Sequence, residues 1–162
     1  MSFEITSASP NDLEKALPFI QEIISAGETY ALPRDMGAED IHDYFFHKGH
    51  RVFKAALDGE IVGICYLRAN QSGGGSHVAN AGFMVSPQTR RKGVARKMAE
   101  HILHVAKESG FMAMQFNFVV SSNTAAVSLW KNLGFEIVGT LPKAFNHPAL
   151  GEVDAFVMYK FL

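Results

Sequence analysis

Apolar and polar positions recur along this chain with two periods, and the switches between them mark its elements. Phe3–Ser7 reads as a short strand. Ser9 then offers a helix cap, Pro10 suits the first helical position, and Asp12 favours the first turn. Leu13, Leu17, Ile20 and Ile24 form a helical stripe ending near Gly27. Pro18 within it predicts a kink, because it removes one hydrogen bond and crowds the preceding turn. Residues 28–37 predict a loop and 38–47 a second short helix. Arg51–Leu57 and Glu60–Ala69 flank Asp58-Gly59, a strong hairpin signal. Residues 70–76, with three consecutive glycines, predict a flexible link to an apolar strand ending at Val85.

Beyond that strand the period changes to helical. Val94, Met98, Ile102 and Val105 share one face, and Ser109-Gly110 marks a stop. Met112, Met114, Phe116 and Phe118 then alternate with Gln115 and Asn117, as in a strand. Ser122 or Asn123 caps a predicted helix running to Asn132 and closed by Gly134. Residues 135–141 and 153–162 read as two last strands, joined by a loop holding Pro142, Asn146, His147, Pro148 and Gly151. The expectation is an α+β fold in one domain, 1–162, without internal repeats.

The chemistry concentrates where the central strand meets the central helix. Arg90, Arg91 and Lys92 lead through Gly93 into the helix. The first N–H groups of a helix lack internal partners, and its dipole favours negative charge, so a basic loop at that point is an anion site. Gly93 lets the backbone approach a bulky phosphate, and Ala95 nearly so.

Arg90-x-x-Gly93-x-Ala95 resembles the Q/R-x-x-G-x-G/A loop of the GCN5-related N-acetyltransferases (GNAT), and Asn123 to Phe135, N-T-A-A-V-S-L-W-K-N-L-G-F, is similar to their N-x-x-A-x-x-L-Y-x-x-x-G-F segment. The order of predicted elements matches that superfamily over nearly the whole chain. The resemblance implies the acyl-CoA N-acyltransferase fold, a mixed sheet of about seven strands flanked by about four helices, with acetyl-CoA as cosubstrate. It implies main-chain groups of Phe83, Met84 and Val85 along the pantetheine arm and acetyl carbonyl. It also implies a pyrophosphate grip by residues 91–96, with Val94 and Arg96 among them, and a pantetheine bond from Asn123. Trp130 departs from the usual Tyr, whose hydroxyl protonates the leaving thiolate in relatives. Indole has no proton to give in this range, so Trp130 is expected to wall the pocket or to hydrogen-bond the thiolate.

The acceptor side is set by polar residues in apolar surroundings. Asn80 and Asn117 lie in the two central apolar strands, where an unpaired amide is costly. They serve either neighbouring backbone or a polar substrate. Together with Asn123 they resemble fungal N-acetyltransferases acting on proline analogues such as azetidine-2-carboxylate, which implies roles for Asn80 and Asn117 in substrate binding and catalysis. Thr29 and Tyr30 fall where the superfamily builds its acceptor site, and His147 is a further candidate from the last loop. Glu28, Glu152 and Asp154 remain candidate bases, though each reads first as a solvated or structural carboxylate. His101 and His104 are spaced to share a metal but lack a third ligand, and no metal is expected.

Composition narrows the classes. A net charge of −1 gives no global pull toward nucleic acid or an anionic membrane. A nucleic-acid module built on Arg90 to Lys92 would lack the extended basic face that it needs. Residues 110–130 carry no charge, but Gln115, Asn117, Ser121, Ser122, Asn123 and Thr124 interrupt them, which argues against a membrane span. The single cysteine, Cys65, excludes an intrachain disulfide and suits a cytoplasmic setting. Its place in a predicted strand argues against ping-pong transfer. The reading is therefore an N-acetyltransferase acting by direct attack of a small-molecule amine, such as an amino acid or analogue. A homodimer, common among relatives, is the oligomer it admits. The other class to weigh is a CoA-binding regulatory module without turnover.

Overall fold

The computed structural model describes residues 2–162. Seven strands and four helices follow in the order β1 (Phe3–Ser7), α1 (Pro10–Ala26), α2 (Ala38–Phe45), β2 (Arg51–Leu57), β3 (Glu60–Ala69), β4 (Val78–Val85), α3 (Val94–Glu108), β5 (Ala113–Val120), α4 (Thr124–Asn132), β6 (Glu136–His147) and β7 (Gly151–Phe161). One sheet runs β1-β2-β3-β4-β5-β7-β6, in which only the β4–β5 pair is parallel. This is the expected acyl-CoA N-acyltransferase architecture. The charge-free stretch 110–130 divides into β5 and α4, and no helix among the described residues is long and apolar enough to cross a membrane.

Strand alternation sends side chains to two cores, one on each face. Ile64 and Tyr66 of β3 pack under α1 and α2 with Leu13, Ile20, Ile41 and Phe45. Their neighbours Cys65 and Leu67 face the opposite way, against Met98 and Ile102 of α3 and the aromatic side chains of β5 and α4. Fully burying one such apolar side chain contributes about 1.5–3 kcal/mol. The α1 start is a reciprocal cap: Ser9 Oγ accepts from the Asp12 N–H at 3.2 Å, and the Ser9 N–H donates to Asp12 Oδ2 at 2.8 Å. Lys54 on β2 binds the other Asp12 oxygen at 2.9 Å. These bonds hold the Asp12 carboxyl down at about 2, the Ser9 backbone bond most of all. The helix continues through Pro18 as a single element.

One element departs from expectation. The loop predicted to hold Pro142, Asn146, His147, Pro148 and Gly151 is mostly strand. β6 runs to His147, pairs with β7 as far as His147↔Gly151, and absorbs Pro142 at a register shift between Leu141 and Phe145. Proline is tolerated there because β6 is the edge of the sheet, where one side of the strand has no ladder to complete. His147 Nδ1 accepts from the Ala149 and Leu150 N–H groups at 3.1 and 3.2 Å, so its ring fastens the turn.

Candidate active site

The sheet opens at its centre. β4 and β5 pair only at Val78↔Ala113 and Ala79↔Met114, whereas β3 accompanies β4 through to Val85. From Asn80 onward the β5-facing edge of β4 carries no ladder. Aromatic rings mark the place: Trp130 of α4 stands 5.3 Å from the Phe83 ring on β4 and 4.4 Å from the Phe116 ring on β5, and its indole is buried. Phe135 stacks on Phe116 at 4.5 Å and closes the cluster. The four rings pack together on one face of the sheet where the two strands part.

Two hollows meet at this split. A cleft of about 740 Å³ runs along β4 and over the start of α3, lined by Phe83, Met84, Val85, Arg90, Arg91, Gly93, Val94, Ala95 and Arg96. A second cavity, about 300 Å³, lies toward α2 and β3, and Asn80, Asn117, Tyr44, Tyr66 and Arg68 help to line it. Thr29, Tyr30, Phe83, Asn123, Ala126 and Trp130 line both, and so form the joint between them. Lys92 lies in the basic loop without lining the cleft, and His147 lines neither hollow.

The cleft ends on free main chain. Gly93 precedes α3 with φ +74°, Arg91 holds φ +65°, and no side chain caps the helix. The first bond into the helix is Lys97 N–H to the Gly93 carbonyl at 3.1 Å, which leaves the N–H groups of residues 93–96 without protein acceptors. A Cβ at Gly93 would meet nothing within 4 Å, so the space before these donors is open. Arg96 Nε pairs with Glu100 at 2.9 Å while still lining the cleft. The approach to the loop is braced by two buried residues that the sequence reading passed over. Thr89 Oγ1 donates to the Ser86 carbonyl at 2.8 Å, and the Ser86 N–H bonds the Val62 carbonyl of β3 at 2.8 Å. Open donors, glycine and cations fit a diphosphate.

In the second cavity the asparagines are partly satisfied from within. Asn80 is buried; its Oδ1 accepts from Arg68 Nε at 3.0 Å and its Nδ2 donates to the Gln115 carbonyl at 2.9 Å. The latter bond stands where the next rung between β4 and β5 would fall. Asn117 is exposed, donating to Asn70 Oδ1 at 2.7 Å and accepting from Gln115 Nε2 at 2.8 Å. Each amide retains one donor hydrogen and one acceptor lone pair. Asn123 caps α4 through Oδ1, accepting from the Ala126 N–H at 3.3 Å. Tyr44 and Tyr66 hydroxyls lie 3.4 Å apart, and burial, then the neighbouring Tyr66, pushes the Tyr30 and Tyr44 phenols well up.

None of the residues lining this cavity is Asp or Glu. Asp154 instead accepts the Lys143 N–H at 2.9 Å, beside a left-handed φ of +52°, while Glu28 and Glu152 are exposed. Tyr44, Tyr66, Arg68, Gly82 and Phe116 are lining residues that the sequence reading did not single out. Arg68 gave the one usable signal, a cation inside an otherwise apolar strand. Cys65 is fully buried in β3 and its thiol pKa is pushed up by burial, which removes it as a nucleophile. Among the described residues no group of three His, Cys, Asp or Glu is placed to hold a metal ion.

A split sheet with an open helix start beside it offers a diphosphate-bearing carrier a cleft that ends at the smaller cavity. The acetyltransferase (GNAT) family model matches residues 17–135. The chain is 30% identical over 156 residues to the N-acetyltransferase aca1 of Schizosaccharomyces pombe, covering 86% of this chain and 75% of that protein. It is 30% identical over 112 residues to the L-amino acid N-acetyltransferase AaaT of Escherichia coli, covering 68% of this chain and 67% of that one. A GCN5-related N-acetyltransferase from Kribbella flavida superposes with a TM-score of 0.93 at 39% identity, covering 99% and 98% of the two chains. This chain therefore belongs to the GNAT acetyltransferase family and is an N-acetyltransferase with acetyl-CoA as cosubstrate.

Proposed function

We propose that the enzyme acetylates the amine of a small molecule, an amino acid or a close analogue, by direct attack of that amine on the thioester. The observation that carries this reading is the junction of the two hollows at Phe83, Asn123 and Trp130. A thioester laid along β4 ends at that junction, and an amine in the smaller cavity faces it. The N–H groups of residues 93–96 hold the pyrophosphate, with Arg90, Arg91 and Lys92 adding attraction. The unpaired edge of β4 at Phe83, Met84 and Val85 takes the pantetheine arm and steadies the carbonyl oxygen as charge grows on it. Asn123 bonds the same arm while capping α4. Asn80 and Asn117 orient the acceptor through the donor and acceptor that each still holds, with Thr29 and Tyr30 at the joint. His147, tied into its turn, is dropped from the acceptor site.

Proton handling follows from what lines the cavity. With no carboxylate there, the acceptor's proton leaves to water. A lysine-like amine of pKa ~10.4 carries a handicap of about 4.6 kcal/mol at pH 7, against about 1 kcal/mol for a peptide N-terminal amine near 7.7–8.0; a free amino acid, whose own carboxylate raises its amine, depends on the site to favour the neutral form. The same burial that keeps Tyr30 and Tyr44 neutral disfavours a bound ammonium. The nitrogen lone pair forms the new C–N bond, the C–S bond breaks, the nitrogen gives a second proton to water as it becomes an amide, and the departing thiolate takes a proton from solvent. A thiol of pKa near 8.5 leaves without strong acid help, so Trp130 need only shape the wall.

AaaT is named for L-amino acid acetylation, and the fungal resemblance on Asn80, Asn117 and Asn123 points the same way. A CoA-binding module without turnover finds no support beyond the exchange of Tyr for Trp130. The test is CoA release with a panel of L-amino acids, imino acids and short peptides. Amino or imino acids are expected to exceed peptides in kcat/KM by at least about tenfold; turnover of peptide N-termini alone would overturn the reading. Sedimentation tests the homodimer.

A further inference from the structure

We propose that Arg68 binds the carboxylate of the acceptor and so restricts the enzyme to amines that carry one. The inference rests on the reading of the smaller cavity as the acceptor site. Arg68 lies near the end of β3, directly across from Asn80 in the β3–β4 register, and is only half-exposed. Its Nε is committed to Asn80 Oδ1 at 3.0 Å, and Asn80 is anchored in turn on the Gln115 carbonyl. The guanidinium plane is thus fixed from three strands at the point where the sheet splits.

What Arg68 lacks is an anion. The ion pairs of the described residues are His42–Asp43, Lys54–Asp12 and Arg96–Glu100, and none includes it. No Asp or Glu lines the acceptor cavity, nor the cleft on its other side, where it meets His50 and Asn70. Its field is felt locally, opposing protonation of His50, whose pKa is lowered first by burial, and easing slightly the upward push on Tyr44. A guanidinium drawn partly out of water gains from a counter-charge, because desolvation without one is costly. The two Nη groups have no protein acceptor among the described residues and present a planar fork, the geometry that takes a carboxylate by two parallel bonds. A substrate supplies the missing charge. The fixed cation also favours the neutral form of an amine held beside it, which is the nucleophilic form.

The test compares each accepted amino acid with its primary amide in the whole enzyme, by CoA release. Wild type is expected to prefer the acid by on the order of 10²-fold in kcat/KM, the scale of two charge-assisted bonds. Arg68→Gln should bring acid and amide close to parity by raising the KM of the acid, with the KM of acetyl-CoA unchanged. Arg68→Lys should keep part of the preference. Equal use of acids and amides by wild type would overturn the role of Arg68 while leaving the small-amine reading standing, and needs no variant that folds. An acid preference that survives Arg68→Gln would also overturn it. Turnover of neither acids nor amides would overturn both.

Discussion

The cleft proposed for acetyl-CoA ends on main-chain N–H groups of residues 93–96, while the acceptor cavity beside it is walled by side chains from α2, β3, β4, β5 and α4. The first depends on a backbone path that a glycine and a helix start are enough to set. The second depends on where distant strands place individual rings and amides. Substitutions in the cleft should therefore act through conformation and acetyl-CoA affinity, and those in the cavity through shape and acceptor affinity. The joint residues should affect both.

The largest effect is expected from Gly93→Val. The position requires φ +74°, which a β-branched residue resists, and the added methyl groups would cover the open donors. Calorimetry should show acetyl-CoA affinity falling on the order of 100-fold; unchanged affinity would remove the anion site from α3. Gly82→Ala follows. A Cβ there would collide with the Tyr66 ring, and that ring is held by His50 stacked at 4.4 Å and by Tyr44 and Phe45 edge-on. Overpacking of this kind costs about 1–3 kcal/mol, so acceptor kcat/KM should drop roughly 10–100-fold while acetyl-CoA binding is kept. Asn117→Ala should raise the acceptor KM about tenfold with CoA affinity intact; parallel loss of CoA binding and of fold would assign Asn117 to structure alone.

The smallest effect belongs to the joint. Trp130→Tyr should change turnover by less than about threefold and add no basic limb to the pH profile. A tenfold gain with a new basic-limb pKa would show that a protein acid had been wanted there. Trp130→Ala is the sharper probe of geometry, since it removes the ring packed against both Phe83 and Phe116 at the split.

This asymmetry also governs what could be read from the sequence. The anion loop was legible because a local pattern fixes it: three cations, a glycine, then a helical stripe from Val94. The strand and helix order was legible for the same reason to the end of the chain, including α4 capped by Asn123; only the extent of the last two strands differs. The β6–β7 hairpin was misjudged because Pro142, Asn146 and Pro148 are turn formers locally, and pairing with β7 on an open sheet edge outweighed them. Tyr44 and Tyr66 were illegible as site residues, and Arg68 showed only as a cation on an apolar strand, since their meeting with residues 80–82 and 116–117 depends on tertiary packing across elements. Asn80 was visible as an oddity, a polar side chain on an apolar strand, but not its two partners.

Cys65 bears on how any of this is observed. It is the protein's only sulfhydryl, has no exposure, and resists ionising. A coloured aromatic disulfide stirred into the folded enzyme therefore finds nothing on it to exchange with. The yellow that develops counts cofactor molecules alone, and a sudden rise in blank absorbance would announce that β3 had come undone.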